Sequence, residues 1–200
     1  MYNPADVIRL SQYLQEHPKK NLIFDFDDTL VTLQLPWDVY ARGIKAILNE
    51  IDPDLVARYP GSETKYLIHE ALIKHGQPIQ QRINHFRRQF EKDCLQGVIC
   101  NDWMLTFLRE NAANYQFFIW SSNEARTILP ILQNYHLESL FKQVVGASDV
   151  MYPKPSPDGF YVLFDPSTQK KADFLFIGDS SSDEEASRKA GIDFFRTQKP

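Results

Sequence analysis

Leu22-Ile23-Phe24-Asp25-Phe26-Asp27-Asp28-Thr29-Leu30 is an apolar run that ends abruptly in three carboxylates. Leu22 to Phe26 read as a fully buried strand, and a side-chain period of two sets Asp25 and Asp27 on one side where that strand ends. Two carboxylates so placed repel each other. Burying them is costly unless a cation or a catalytic task compensates. The stretch therefore points to a metal site, an acid/base pair or both, against the plainer reading of an acidic turn closing a strand.

On the N-terminal side, residues 4–17 place Val7, Ile8, Leu10, Tyr13 and Leu14 at near-helical spacing, and His17-Pro18 ends the element. On the C-terminal side, the next strand-like run, Phe117-Phe118-Ile119-Trp120, comes far later than one crossover connection allows. Something is inserted between them. Trp37 to Glu50, Ser62 to His75 and Pro78 to Cys94 each carry helical periodicity, with breaks at Asp52-Pro53, Tyr59-Pro60-Gly61 and His75-Gly76-Gln77-Pro78. The insert is expected to be all-helical, residues 34–98, within a core made of 1–33 and 99–200.

After the insert the chain alternates. Helices are expected near 102–112, 124–135, 157–164 and 183–190, and strands at 115–120, Val144-Val145, Phe174 to Ile177 and Phe194 to Arg196. This predicts an α/β fold, a doubly wound, Rossmann-like parallel sheet with an inserted helical domain. Such sheets bind ligands along the edge formed by the strand C-termini. That edge collects Asp25 and Asp27, then Ser121-Ser122-Asn123, then Lys154 from the loop after the third strand, then Asp179 with Asp183 close behind.

A chain of 200 residues with 43% hydrophobic and 13% aromatic content can bury one good core, or one core and a small inserted module. Its net charge of -4 argues against nucleic acid or a membrane surface as partner. With no apolar run of spanning length and no basic-then-hydrophobic N-terminus, a cytoplasmic protein is the expectation. Cys94 and Cys100 lack metal-site spacing and read as reduced thiols.

Four stretches together resemble the haloacid dehalogenase-like superfamily of aspartate-nucleophile hydrolases: Asp25-Phe26-Asp27-Asp28-Thr29-Leu30, Ser121 after the second strand, Lys154-Pro155-Ser156-Pro157, and Gly178-Asp179-Ser180-Ser181-Ser182-Asp183. The resemblance covers the core, and the helical insert sits where that family carries a type-1 cap. It implies that Asp25 attacks phosphorus to form an aspartyl-phosphate, and that Asp27 protonates the leaving alcohol and then activates water. Thr29 would help orient Asp27. Asp25, the Asp27 backbone carbonyl and Asp179 would hold Mg²⁺, with Asp183 in support. Ser121 or Ser122 would bond a phosphoryl oxygen with Asn123 beside them, and Lys154 would offset the gathered negative charge. Counting forward to Leu137 favours Ser121.

Within that superfamily an aspartate two residues after the nucleophile, here Asp27, favours phosphate esters over carbon–halogen or phosphonate bonds. The expected activity is a Mg²⁺-dependent phosphatase acting on a small phosphorylated metabolite. A phosphomutase using the same four motifs is the nearest alternative, and a catalytically silent phospho-acceptor regulator is a more distant one. His69, His75, Arg82, His85, Arg87 and Arg88 make part of the insert basic, which reads first as a solvated face and second as a receptor for another anionic group. Trp37 and Tyr40 read first as core. Asp28 stands where many relatives have glycine and receives no catalytic role.

Overall fold

The computed structural model describes residues 4–61 and 64–198. Along the chain, α1 (Ala5–Glu16) is followed by β1 (Asn21–Phe24), β2 (Val31–Leu33) and four helices: α2 (Trp37–Asn49), α3 (Pro53–Ala57), α4 (Lys65–His75) and α5 (Gln77–Cys94). Then come β3 (Val98–Cys100), α6 (Asp102–Asn111), β4 (Gln116–Trp120), α7 (Ala125–Asn134) and β5 (Phe141–Val145). The chain finishes with α8 (Asp158–Leu163), β6 (Phe174–Gly178), α9 (Ser181–Ala190) and β7 (Asp193–Arg196). Ser62 and Glu63, at the expected start of the second insert helix, lie outside the described residues. No helix among the described residues is long and apolar enough to cross a membrane.

Five strands make one parallel sheet in the order β5-β4-β1-β6-β7, with β1 at its centre. Both faces of its strands are buried, and alternation sorts the side chains. Leu22, Phe24, Phe117, Ile119, Leu175 and Ile177 join a core with residues of α1, α6 and α7. Ile23, Phe118, Trp120, Phe174 and Phe176 pack on the opposite face with Phe160 of α8 and Ala186 of α9. The doubly wound α/β fold expected from the sequence is therefore present. Helix α1 lies beside the last strand, with Tyr13 edge-on to Phe195 and Asp6 accepting from the Gln198 N–H at 2.8 Å.

Three features depart from expectation. First, the central strand ends at Phe24 and not at Phe26. Only the Asp25 N–H, which donates to the Ile177 carbonyl at 2.9 Å, extends its ladder. Asp25 and Asp27 therefore owe their positions to a turn rather than to pleat alternation. In that turn Asp28 takes φ 58°, the left-handed conformation glycine favours and aspartate tolerates. Second, the expected turn at Asp52-Pro53 opens a short helix, because Asp52 accepts from the Leu55 N–H and Pro53 fits the first helical position.

Third, β2 and β3 form an antiparallel ribbon, Val31 to Leu33 against Cys100 to Val98, through which both connections to the helical insert run. Gln34 and Gln96 extend it: the Gln34 N–H donates to the Gly97 carbonyl and the Gln96 N–H to the Gln34 carbonyl. At its foot Asn101 donates from its side chain to the Thr29 carbonyl and from its backbone to the Leu30 carbonyl, both at 2.9 Å.

Candidate active site

Beyond the C-terminal ends of β1, β4 and β6 lies a cavity of about 240 Å³. The core lines it with Asp25, Asp27, Asp28, Ser122, Lys154 and Asp179. The facing wall comes from the insert, including Trp37 and Tyr40 of α2, Lys65 of α4, and Arg87 and Glu91 of α5.

At its floor Lys154 is 2% exposed. Its Nζ lies 3.0 Å from Asp25 Oδ1 and 2.5 Å from Asp183 Oδ1, and donates to the Trp120 carbonyl at 3.1 Å. Asp25 Oδ1 also accepts from the Phe26 N–H at 2.7 Å. Asp183 serves twice. As the third residue of α9 it closes a capping box with Ser180, whose N–H and hydroxyl both donate to Asp183 Oδ2. Its other oxygen holds Lys154. Gly178 makes room for this, since a Cβ there would sit 2.7 Å from Asp183 Oδ2.

Carboxyl oxygens of Asp25, Asp179 and Asp183 lie within 4.8 Å of one another, and all three residues are buried. Burial first, and the Asp183 charge second, raise Asp25 to about 7 against the pull of Lys154. Burial likewise opposes the charge of Asp183, but Lys154, Lys65 and the Ser180 hydroxyl together outweigh it and hold that group below the usual carboxylate range. Asp27, partly exposed, accepts from the Leu33 N–H at 2.7 Å, yet desolvation of its carboxyl group pushes it up to about 8. A cluster of four carboxylates around one buried ammonium calls for further positive charge.

The local hydrogen bonds bear on two sequence expectations. The Thr29 hydroxyl is buried without a hydrogen-bond partner among the described residues, and the Leu33 N–H donates to the Asp27 carboxyl. Between the two serines, the Ser121 hydroxyl is engaged in the turn, donating to Asn123 Oδ1 and accepting from the Asn123 N–H. Ser122 lines the cavity, and its hydroxyl has no partner among the described residues.

Two charged residues of α5 brace this serine turn, a role not anticipated from the sequence. Glu91 accepts from the Glu124 N–H at 3.0 Å and from the Asn123 side-chain amide at 3.2 Å. Arg87, one turn earlier, donates to the Tyr40 hydroxyl and Asn84, and lies 3.5 Å from Glu124. A signal was nonetheless present. Ile83, Arg87 and Glu91 recur at four-residue spacing along the apolar stripe of α5, so two charges occupy a face that should be buried.

A model of haloacid dehalogenase-like hydrolases matches residues 22–197. A phosphoglycolate phosphatase from Colwellia psychrerythraea is 26% identical over 193 residues, covering 90% of this chain and 84% of that protein. One from Pectobacterium atrosepticum is 22% identical over 187 residues, covering 86% and 77%. The solved structure of a superfamily hydrolase from Geobacter sulfurreducens superposes with a TM-score of 0.55 at 16% identity, covering 89% of this chain and 86% of that one.

Proposed function

This chain belongs to the haloacid dehalogenase-like hydrolase family, and on that premise we propose that it is a Mg²⁺-dependent phosphatase. It releases phosphate from a small phosphorylated metabolite through an aspartyl-phosphate on Asp25. The observation that carries this reading is the buried Lys154 ion-paired to both Asp25 and Asp183 at the floor of a cavity that Asp27, Ser122 and Asp179 also line. The names of the curated relatives support a small phosphorylated substrate.

With Oδ1 of Asp25 fixed by Lys154 and the Phe26 N–H, its Oδ2 attacks phosphorus, and the ester oxygen leaves with a proton from Asp27. A carboxyl held up to about 8 still carries that proton near neutrality. Asp27, now ionised, takes a proton from water, which attacks the phosphorus and returns Asp25 as a carboxylate with free phosphate. Lys154 offsets charge on Asp25 throughout, and the Ser122 hydroxyl donates to a phosphoryl oxygen. Ser121 and Asn123 hold the turn that presents it.

The donor set fits Mg²⁺: hard, buried carboxylate oxygens whose mutual repulsion a dication relieves. Asp25, Asp179 and the Asp27 carbonyl would hold it, because both oxygens of Asp183 are committed to Lys154 and Ser180. Bound there, Mg²⁺ neutralises and polarises the phosphoryl group. Residues 34–98 act as a cap domain that excludes water.

Hydrolysis of p-nitrophenyl phosphate by wild type and Asp25→Asn, with Mg²⁺ and with chelator, tests this. The expected result is turnover that needs both Mg²⁺ and Asp25. Turnover persisting in Asp25→Asn, or undiminished by chelator, would refute it.

A further inference from the structure

Several hydrogen bonds seat the insert on the core. Gln80 donates to the Val150 carbonyl at 2.8 Å and the Tyr66 hydroxyl to Glu185 at 3.0 Å, both away from the turn that carries Ser122. The Glu91 contact falls on that turn. Glu91 is 2% exposed, and one of its carboxyl oxygens accepts from the Glu124 N–H at 3.0 Å while the other accepts from the Asn123 side-chain amide at 3.2 Å. The Thr127 hydroxyl donates to the same group. These donors cluster at the start of α7, whose N-cap residue, Glu124, makes no side-chain cap of its own. A carboxylate from α5 takes them up, at a helix end that favours negative charge.

On its other side the turn is fixed to β5. The Ser121 N–H donates to the Val145 carbonyl and the Ala147 N–H to the Asn123 carbonyl, both at 2.9 Å. Ser122 lies between these two clamps, and its hydroxyl has no partner among the described residues. The insert clamp is specific in its chemistry. Only a carboxylate accepts with both oxygens, so a glutamine of the same shape would turn its NH₂ towards one of the N–H donors.

We propose that Glu91 is a positioning residue for phosphoryl transfer: supplied by the insert, it holds the Asn123–Glu124 end of the turn so that the Ser122 hydroxyl meets the phosphoryl group. This rests on the phosphatase reading, and within it on Ser122 as a phosphoryl donor. It makes phosphate binding depend on the seating of α5, so that a phosphoryl ligand and a seated insert favour each other.

Competitive inhibition of p-nitrophenyl phosphate turnover by inorganic phosphate, on the Mg²⁺-loaded enzyme, tests it in a double-mutant cycle of Glu91→Gln and Ser122→Ala. An inhibition constant does not depend on the active fraction of a preparation. A merely structural role for Glu91 would therefore lower kcat and thermal stability and leave Ki where it was. Ser122→Ala should raise Ki by roughly tenfold, the scale of one hydrogen bond to a charged group. Glu91→Gln should raise it by about threefold or more, and the double variant should match Ser122→Ala alone. Glu91→Asp keeps the charge but retracts it by one methylene; it should also raise Ki, and it replaces the glutamine variant if that one does not fold. The proposal is overturned if Ki is unchanged in the Glu91 variants, or if the two substitutions multiply, because Glu91 would then act by a route other than Ser122. A Ki unmoved by Ser122→Ala would remove the donor role of Ser122 and this proposal with it, while Mg²⁺-dependent turnover left the phosphatase reading standing. A wild type without such turnover would refute both.

Discussion

Lys154→Met replaces the ammonium at the floor of the site with an apolar chain of similar length. The methionine can pack on Phe176, whose ring centroid now lies 5.2 Å from Lys154 Nζ. It leaves Asp25, Asp183 and the Trp120 carbonyl without their shared donor. Removing one partner of a buried ion pair costs about 3–5 kcal/mol. At ~2–4 °C per kcal/mol for a chain of this size, the melting temperature should fall by roughly 6–20 °C.

The sign of the pH dependence comes from Asp25. Burial first and Asp183 second already hold it at about 7 in the folded protein, and losing Lys154 removes the largest opposing influence, raising it further. An unfolded aspartate titrates near ~3.9, so the folded state binds the proton more tightly. The stability from protonated Asp25 is fully present below that unfolded value and is lost as pH rises through the folded one. The gap between variant and wild type should therefore be narrow at pH 5 and wide at pH 8. Thermal melts of both proteins in chelator at those two pH values measure it. A variant as stable as wild type at pH 8, or a gap that widens towards acid, would refute the reasoning.

Asp27→Asn keeps an acceptor for the Leu33 N–H but removes the acid, so kcat for an alkyl ester should fall by about 10²–10⁴, with a smaller loss for p-nitrophenyl phosphate, whose leaving group needs less protonation. Equal losses for the two esters would argue against Asp27 as the proton donor. Asp28→Ala should be less stable in urea than Asp28→Gly by roughly 1 kcal/mol, because only glycine takes φ 58° without a steric cost. Gly178→Ala should lose about 1–3 kcal/mol and weaken Mg²⁺ binding, since its Cβ would displace Asp183 from Lys154. Calorimetric titration with Mg²⁺ and a urea melt of the same sample check both effects.

The parallel strands were legible because burial on both faces leaves uninterrupted apolar runs such as Phe174 to Ile177, and in an open α/β sheet the residues just past each run gather at one edge. That logic found Asp25, Lys154 and Asp179 without any knowledge of distances. It could not find the ribbon. Val31-Thr32-Leu33 and Val98-Ile99-Cys100 are too short to announce themselves, and their pairing joins segments on opposite sides of the insert. It favoured Ser121 without excluding Ser122, because the choice depends on which hydroxyl the Asn123 turn consumes. Glu91 and Arg87 were hidden for another reason: buried charges look like surface charges until the partners that satisfy them, Glu124, Asn123 and Tyr40, are seen.

The β2–β3 ribbon also acts as a transmission. Leu33 is at once the last residue of β2 and the donor whose N–H holds the Asp27 carboxylate, so the strand that carries the insert is tied to the residue proposed as general acid. Because the outgoing and returning connections are zipped together, the insert cannot swing on two independent strings. Both connections run through one stem rooted beside Asp27 and Asn101. Any rotation of that stem changes the Leu33–Asp27 bond, which steadies the ionised form of the acid. The entry strand of the insert and the Asp27 carboxyl thus share one hydrogen bond.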